Sequence, residues 1–117
     1  MFRWDTKKIV AYLSTIPEIE RVENNGPGGD VDTDNLYCKV RGSDEGIFVC
    51  GFSTDDAFMD IPLDERSDVD VEMIEITDNS GQGLQSDDFA VAKAYIEVRQ
   101  HFVGGGATVV PYLKDYF

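Results

Sequence analysis

Between residues 55 and 78 the carboxylates crowd together: Asp55-Asp56, Asp60, Asp64-Glu65, Asp68, Asp70, Glu72, Glu75 and Asp78. Phe52, Phe58, Met59 and Met73 are interleaved with them. Carboxylates mixed with aromatic and Met side chains suit a basic protein surface. The charges set association rate and register, and buried apolar anchors set affinity. Acid–base chemistry by paired carboxylates would use the same residue types. With 23 acids in the chain, no one pair is singled out for it.

Other chemistries lack their parts. His101 is the only histidine, near the end of a helix pattern, where a positive imidazole suits the C-terminal dipole. A nucleophilic dyad with Cys38 or Cys50 would need that helix end to reach a thiol. Two Cys and one His without a CxxC spacing do not make a zinc site. Asp30-Val31-Asp32-Thr33-Asp34-Asn35 begins like a calcium loop. Its sixth position is Asn35 where Gly is needed, and its twelfth is Arg41 where a bidentate Glu belongs. Gly104-Gly105-Gly106 follows a helix, whereas a phosphate-cradling loop precedes one. No metal or cofactor is expected, and no catalytic residue.

The chain has 117 residues, enough for one domain of ordinary size. Twelve Phe and Tyr and one Trp provide for a core. The net charge of −13 opposes a phosphate backbone and an anionic membrane. It is unevenly spread: residues 1–43 carry −1, residues 44–78 carry −11, and residues 79–117 carry −1. A concentrated charge makes a local field that steers an oppositely charged partner. Met1 to Lys8 lacks the apolar stretch of a secretory signal, and no apolar run approaches the ~20 residues of a membrane span. A cytoplasmic protein with reduced thiols is expected.

The elements that must position these groups follow from local pattern. Asp5 caps a helix with Ile9, Val10, Leu13 and Ile16 at helical spacing, ended by Pro17. Ile19–Glu23 reads as a strand, and Asn24–Gly29 as a loop. A short strand is expected at 57–63. Val69–Met73 alternates, and Ile74 and Ile76 change phase, as at a bulge or short helix. Ser86 is the expected cap of the second helix, with Asp87 and Asp88 favourable at its start. Val91, Ala92, Tyr95, Ile96, Val98, Phe102 and Val103 give that helix a wide apolar stripe. The glycines 104–106 end it. Residues 107–113 read as a final strand, at an edge because of Pro111.

Leu36–Arg41 and Ile47–Phe52 alternate around a turn sequence, Gly42–Gly46. With Gly42 facing Gly46, Val40 faces Phe48 and Cys38 faces Cys50. Leu36, Cys38, Val40, Phe48, Cys50 and Phe52 then share one apolar face. That register sets the two thiols opposite each other, where a bridge would close only at a non-hydrogen-bonded pair. Two buried reduced cysteines are the alternative. The expected fold is a single α+β domain over residues 1–117. A mostly antiparallel sheet of four to six strands carries two helices on one face.

From Asp88 to Tyr112 the chain resembles the immunity proteins of bacterial polymorphic and contact-dependent toxin systems, as it does in size, acidity and α+β layout. The likeness lies in the helix Asp88-Phe89-Ala90-Val91-Ala92-Lys93-Ala94-Tyr95, the Gly-rich break, and the strand Thr108-Val109-Val110-Pro111-Tyr112. It implies a toxin partner, and no site residue is carried over from it. The expected function is inhibition of a basic protein such as a nuclease toxin. The contact residues would be Asp44, Glu45, Asp55, Asp56, Phe58, Asp60, Asp64, Glu65, Asp68, Asp70 and Glu72. The alternatives are a phage-encoded inhibitor or DNA mimic, and a small enzyme or ligand-binding domain with an apolar pocket.

Overall fold

In the computed structural model, residues 2–27, 33–53, 62 and 65–112 are described. The strand expected at 57–63 lies outside them, apart from Pro62.

The chain opens on a strand that local pattern does not announce. β1 (Phe2–Asp5) pairs antiparallel with β5 (Asp68–Val71), Trp4 opposite Val69. Asp5 then ends β1 and caps α1 (Thr6–Leu13), accepting from Lys8 N–H at 3.3 Å. β2 (Ile19–Asn24), β3 (Leu36–Val40), β4 (Gly46–Phe52), β6 (Met73–Asp78) and β7 (Val109–Val110) form the main sheet in the order β2-β3-β4-β6-β7. α2 (Phe89–Gly104) connects β6 to β7. The α+β class is as expected. The sheet is mixed: three pairings are antiparallel, and β7 lies parallel to β6 because the α2 crossover returns the chain in the same direction.

Three further expectations change. The phase shift at Ile74 is neither bulge nor helix: the chain leaves the small sheet at Val71 and enters the main one at Met73, with Glu72 at the crossover. The cap of α2 is Asp88, whose side chain accepts from Ala90 N–H at 3.0 Å, and not Ser86. The hairpin register differs by three residues. Leu36 lies opposite Val49, Tyr37 opposite Phe48, Cys38 opposite Ile47 and Lys39 opposite Gly46. An odd shift turns every β4 side chain to the other face. Leu36, Cys38 and Val40 therefore share the core with Ile47 and Val49. Phe48 stands with Tyr37 on the opposite face, ring centroids 4.9 Å apart.

Both helices cover one face. Ile9, Leu13 and Ile16 from α1 and its end join Val91, Ala94, Tyr95, Val98 and Phe102 of α2 over the β3, β4 and β6 side chains. Tyr95 Oη donates to Ile76 O at 2.8 Å and Arg99 Nη2 to Val109 O at 3.2 Å, fastening α2 across β6 and β7.

The register decides the thiols. Cys38 points into the core and Cys50 away from it, and no disulfide joins them. Burial pushes the Cys38 thiol up to about 12. We expect Cys38 to resist aromatic disulfide reagents at pH 8 in the folded protein and to react fully in denaturant. The intact mass without reductant should be that of the dithiol. A mass lower by two hydrogens would refute this register.

Candidate functional site

Most of the described acids of the stretch 44–78 divide between the two ends of one strand pair. β4 and β6 run antiparallel, from Ile47 opposite Asp78 to Phe52 opposite Met73. Five steps of roughly 3.4 Å set the ends of this ladder about 17 Å apart. Asp44 and Glu45 lie beyond the Ile47–Asp78 end. Asp68, Asp70 and Glu72 belong to the segment that enters β6 at its Met73 end. At physiological salt the Debye length is about 8 Å, so exposed charges at the two ends hardly sense each other. The described acids of the stretch 44–78 therefore do not form one patch. Asp55, Asp56, Phe58, Asp60 and Asp64 lie outside the described residues.

At the Met73 end, Asp68 and Asp70 are exposed on β5, across from Arg3 of β1. Arg3 Nε donates to Asp68 at 2.9 Å, and its guanidinium lies 3.5 Å from Asp70. The Asp68 hydrogen bond, together with the charges of Asp68 and Asp70, holds Arg3 above its ordinary value. Glu65 is exposed nearby in sequence, and Glu72 is half-buried. Arg3 offsets part of this end's charge.

The opposite end is built around Asp78, which is 1% exposed. Its carboxylate accepts from Ser80 N–H at 2.8 Å, Gln85 N–H at 2.6 Å and Ser86 N–H at 2.6 Å, and from the Ser80 hydroxyl. Burial pushes the carboxyl up, and these donors outweigh it, so Asp78 titrates below the usual carboxylate range. The loop from β6 to α2 is wrapped around this one anion. Ser86 then reaches the hairpin turn: its hydroxyl donates to Glu45 Oε2 at 2.5 Å. Gly46 N–H donates to Asn79 Oδ1 at 3.0 Å. Hydrogen bonds from Ser43 and from Ala90 N–H hold Asp88 below its ordinary value.

This frame fixes the first turn of α2, where Phe89 stands 81% exposed directly after Asp87 and Asp88. Asp44 is exposed and Glu45 half-buried in the adjoining turn. A groove of about 330 Å³ continues from Phe89 along the outer side of α2, lined by Ala92, Lys93, Ile96, Glu97 and Gln100. Lys93 is paired with Glu18 at 2.9 Å.

Pattern reading merged two stripes on α2. The buried set is Val91, Ala94, Tyr95, Val98 and Phe102, together with Arg99. Phe89, Ala92, Ile96 and Val103 form a second stripe, about 130° round the helix at 100° per residue. Val103 is 44% exposed. The missed residue is Phe89. The signal for it was its spacing of seven from Ile96 and of fourteen from Val103.

A second, polar cleft of about 510 Å³ lies at the start of α1, lined by Asp5, Thr6, Lys7, Asn24, Asp34, Ser67 and Asp68. Its inner wall is a relay: Trp4 Nε1 donates to Thr6 Oγ1 at 2.8 Å, and Thr6 donates to Asp34 Oδ2 at 2.8 Å. Thr33 Oγ1 accepts from Gly51 N–H at 2.8 Å and donates to Asp34 O at 2.9 Å. The described part of the calcium-like stretch thus ties β4 to α1. Asp30 and Asp32 lie outside the described residues. Among the described residues no group of three or more His, Cys, Asp or Glu is arranged to hold a metal.

The dyad geometry is not met. His101 stacks on Tyr12 of α1, ring centroids 3.5 Å apart and planes within 12°. Cys38 is in the core, and the sheet stands between Cys50 and α2. No helix among the described residues is long and apolar enough to cross a membrane. No protein-family model, curated protein or solved structure matches the chain.

Proposed function

We propose that the chain is an acidic inhibitor that binds and blocks a basic protein in the cytoplasm, as an immunity protein neutralising a cognate toxin. The observation that carries this reading is the exposed Phe89 beside Asp44, Glu45, Asp87 and Asp88, held on a hydrogen-bonded frame. An exposed aromatic next to like charges is the composition of a protein-binding hot spot with its steering rim. The frame is already made, so docking orders little chain. The −13 of the whole molecule favours a cationic target such as a nuclease domain. No catalytic step and no cofactor belong to this reading.

Co-expression with the toxin encoded beside it, in a host carrying neither gene, is the test. The chain should restore growth. The triple reversal Asp44→Lys, Glu45→Lys and Asp87→Lys should slow association about tenfold or more and abolish protection. Reversing Asp55, Asp56 and Asp60 to Lys probes the expected contacts outside the described residues in the same assay. Absence of protection by the unaltered chain overturns the reading, as does protection that survives both triple reversals.

The polar cleft at α1 favours a second reading, a small-ligand domain. Saturable binding of a small cationic or polyol ligand that is lost in Asp34→Ala would support it over inhibition.

A further inference from the structure

We infer that the groove along the outer side of α2 is the seat of an amphipathic, basic helix of the partner, with Phe89 as its anchor. This rests on the inhibitor reading and names the surface and the shape of what it binds.

The groove is a strip, not a pit. Phe89, Ala92 and Ile96 succeed one another at spacings of three and four, so their side chains line one side of α2 over about 10 Å. A strip of that form receives a second helix lying along it, ridge against groove. An extended strand would need backbone groups to pair with, and α2 offers none, since its N–H and C=O groups are used within the helix. The occupant must also carry positive charge. Asp87 and Asp88 stand at one end of the strip and Glu97 on its flank, while the charge of Lys93 is met by Glu18 at 2.9 Å. A second copy of this chain is the wrong occupant, because it would bring another −13 against the same acids. A leucine-faced, lysine-backed helix complements both the apolar strip and its rim. Asp68 and Asp70, on β5 at the far end of the β4–β6 ladder, take no part in this contact.

The probe is a synthetic Leu/Lys peptide as long as α2 with amphipathic helical spacing. A scrambled peptide of identical composition serves as its control. Titrations of both into the full chain are followed by heteronuclear NMR and calorimetry. The amphipathic peptide should bind at least about tenfold more tightly than the scrambled one, and its shifts should centre on Phe89, Ala92, Ile96 and Glu97. Phe89→Ala should weaken it about tenfold, and Glu97→Lys should slow its association. Phe89 is exposed, so the Ala variant keeps the fold, which far-UV circular dichroism checks. Equal binding of both peptides, unaltered by Phe89→Ala, overturns the groove and leaves the acidic-inhibitor reading standing on the growth assay. Binding of neither overturns it too, as do shifts centred on β1 and β5.

Discussion

Asp78→Ala should lower the midpoint of thermal unfolding by about 12 °C. The substitution removes an anion that holds three backbone N–H groups and a hydroxyl inside the β6–α2 loop. Hydrogen bonds to a charged acceptor contribute roughly 1.5–3 kcal/mol each, and orphaned buried donors cost about 1–3 kcal/mol. Partial rehydration of a surface loop reduces the sum, and we expect about 3 kcal/mol. At roughly 2.1 cal/mol/K per residue, 117 residues convert 1 kcal/mol into about 4 °C. The effect must also depend on pH. The folded carboxyl titrates below its unfolded value, so its stabilisation is complete well above about pH 3.9. It is lost as pH falls through the lower, folded value. Urea unfolding at pH 7 should separate wild type from Asp78→Ala, and the gap should close towards pH 2. A difference under about 1 kcal/mol at pH 7, or a gap that widens in acid, would refute this account.

The same residue shows why charge was hard to read from sequence. Asp78 closes the acidic stretch 44–78 and counts as one of its charges. In the fold it is buried and spent on its own loop, so it contributes stability and almost no surface field. Its neighbours in sequence are dispersed by topology. β4 carries the chain away from Asp44 and Glu45, β5 places Asp68 and Asp70 at the far end, and β6 brings it back. Among the described residues the linear charge density becomes two clusters, and the one at Asp44 and Glu45 adjoins an exposed aromatic. That aromatic is Phe89, from a segment with almost no net charge.

What was legible had a local cause. Asp5 before a helical repeat opens α1, although the helix closes at Leu13 and not at Pro17. The glycines 104–106 end α2, and the Gly42 region turns the hairpin, with Gly42 at φ 76°. What was not legible depended on a distant partner. β1 is four residues long and recognisable only by its pairing with β5, more than sixty residues away. Ser86 and Asp88 are both good caps, and the choice between them is made across the fold, where Glu45 takes the Ser86 hydroxyl.

The register of the hairpin is the most instructive failure, and Gly46→Ala tests it. Ile47-Phe48-Val49-Cys50 is apolar on both sides, so hydrophobic alternation cannot say which side faces the core. Read as a turn residue facing Gly42, Gly46 would tolerate a methyl group at modest cost. In the structure it is the first residue of β4, lying opposite Lys39. A Cβ there would overlap Cys38 O and stand 2.7 Å from Tyr37 Oη. The nearest obstacle is backbone of the paired strand, which cannot swing aside as a side chain would. We expect Gly46→Ala to cost at least about 3 kcal/mol, at the upper end for overpacking. Gly42→Ala meets no atom, and only its positive φ resists, for about 1–2 kcal/mol. The order of the two, measured by urea unfolding, is the test. If Gly42→Ala proves the more damaging, the close approach at Gly46 does not exist. Cys38 would then no longer face Ile47, and the division of β4 between core and open face would have to be redrawn.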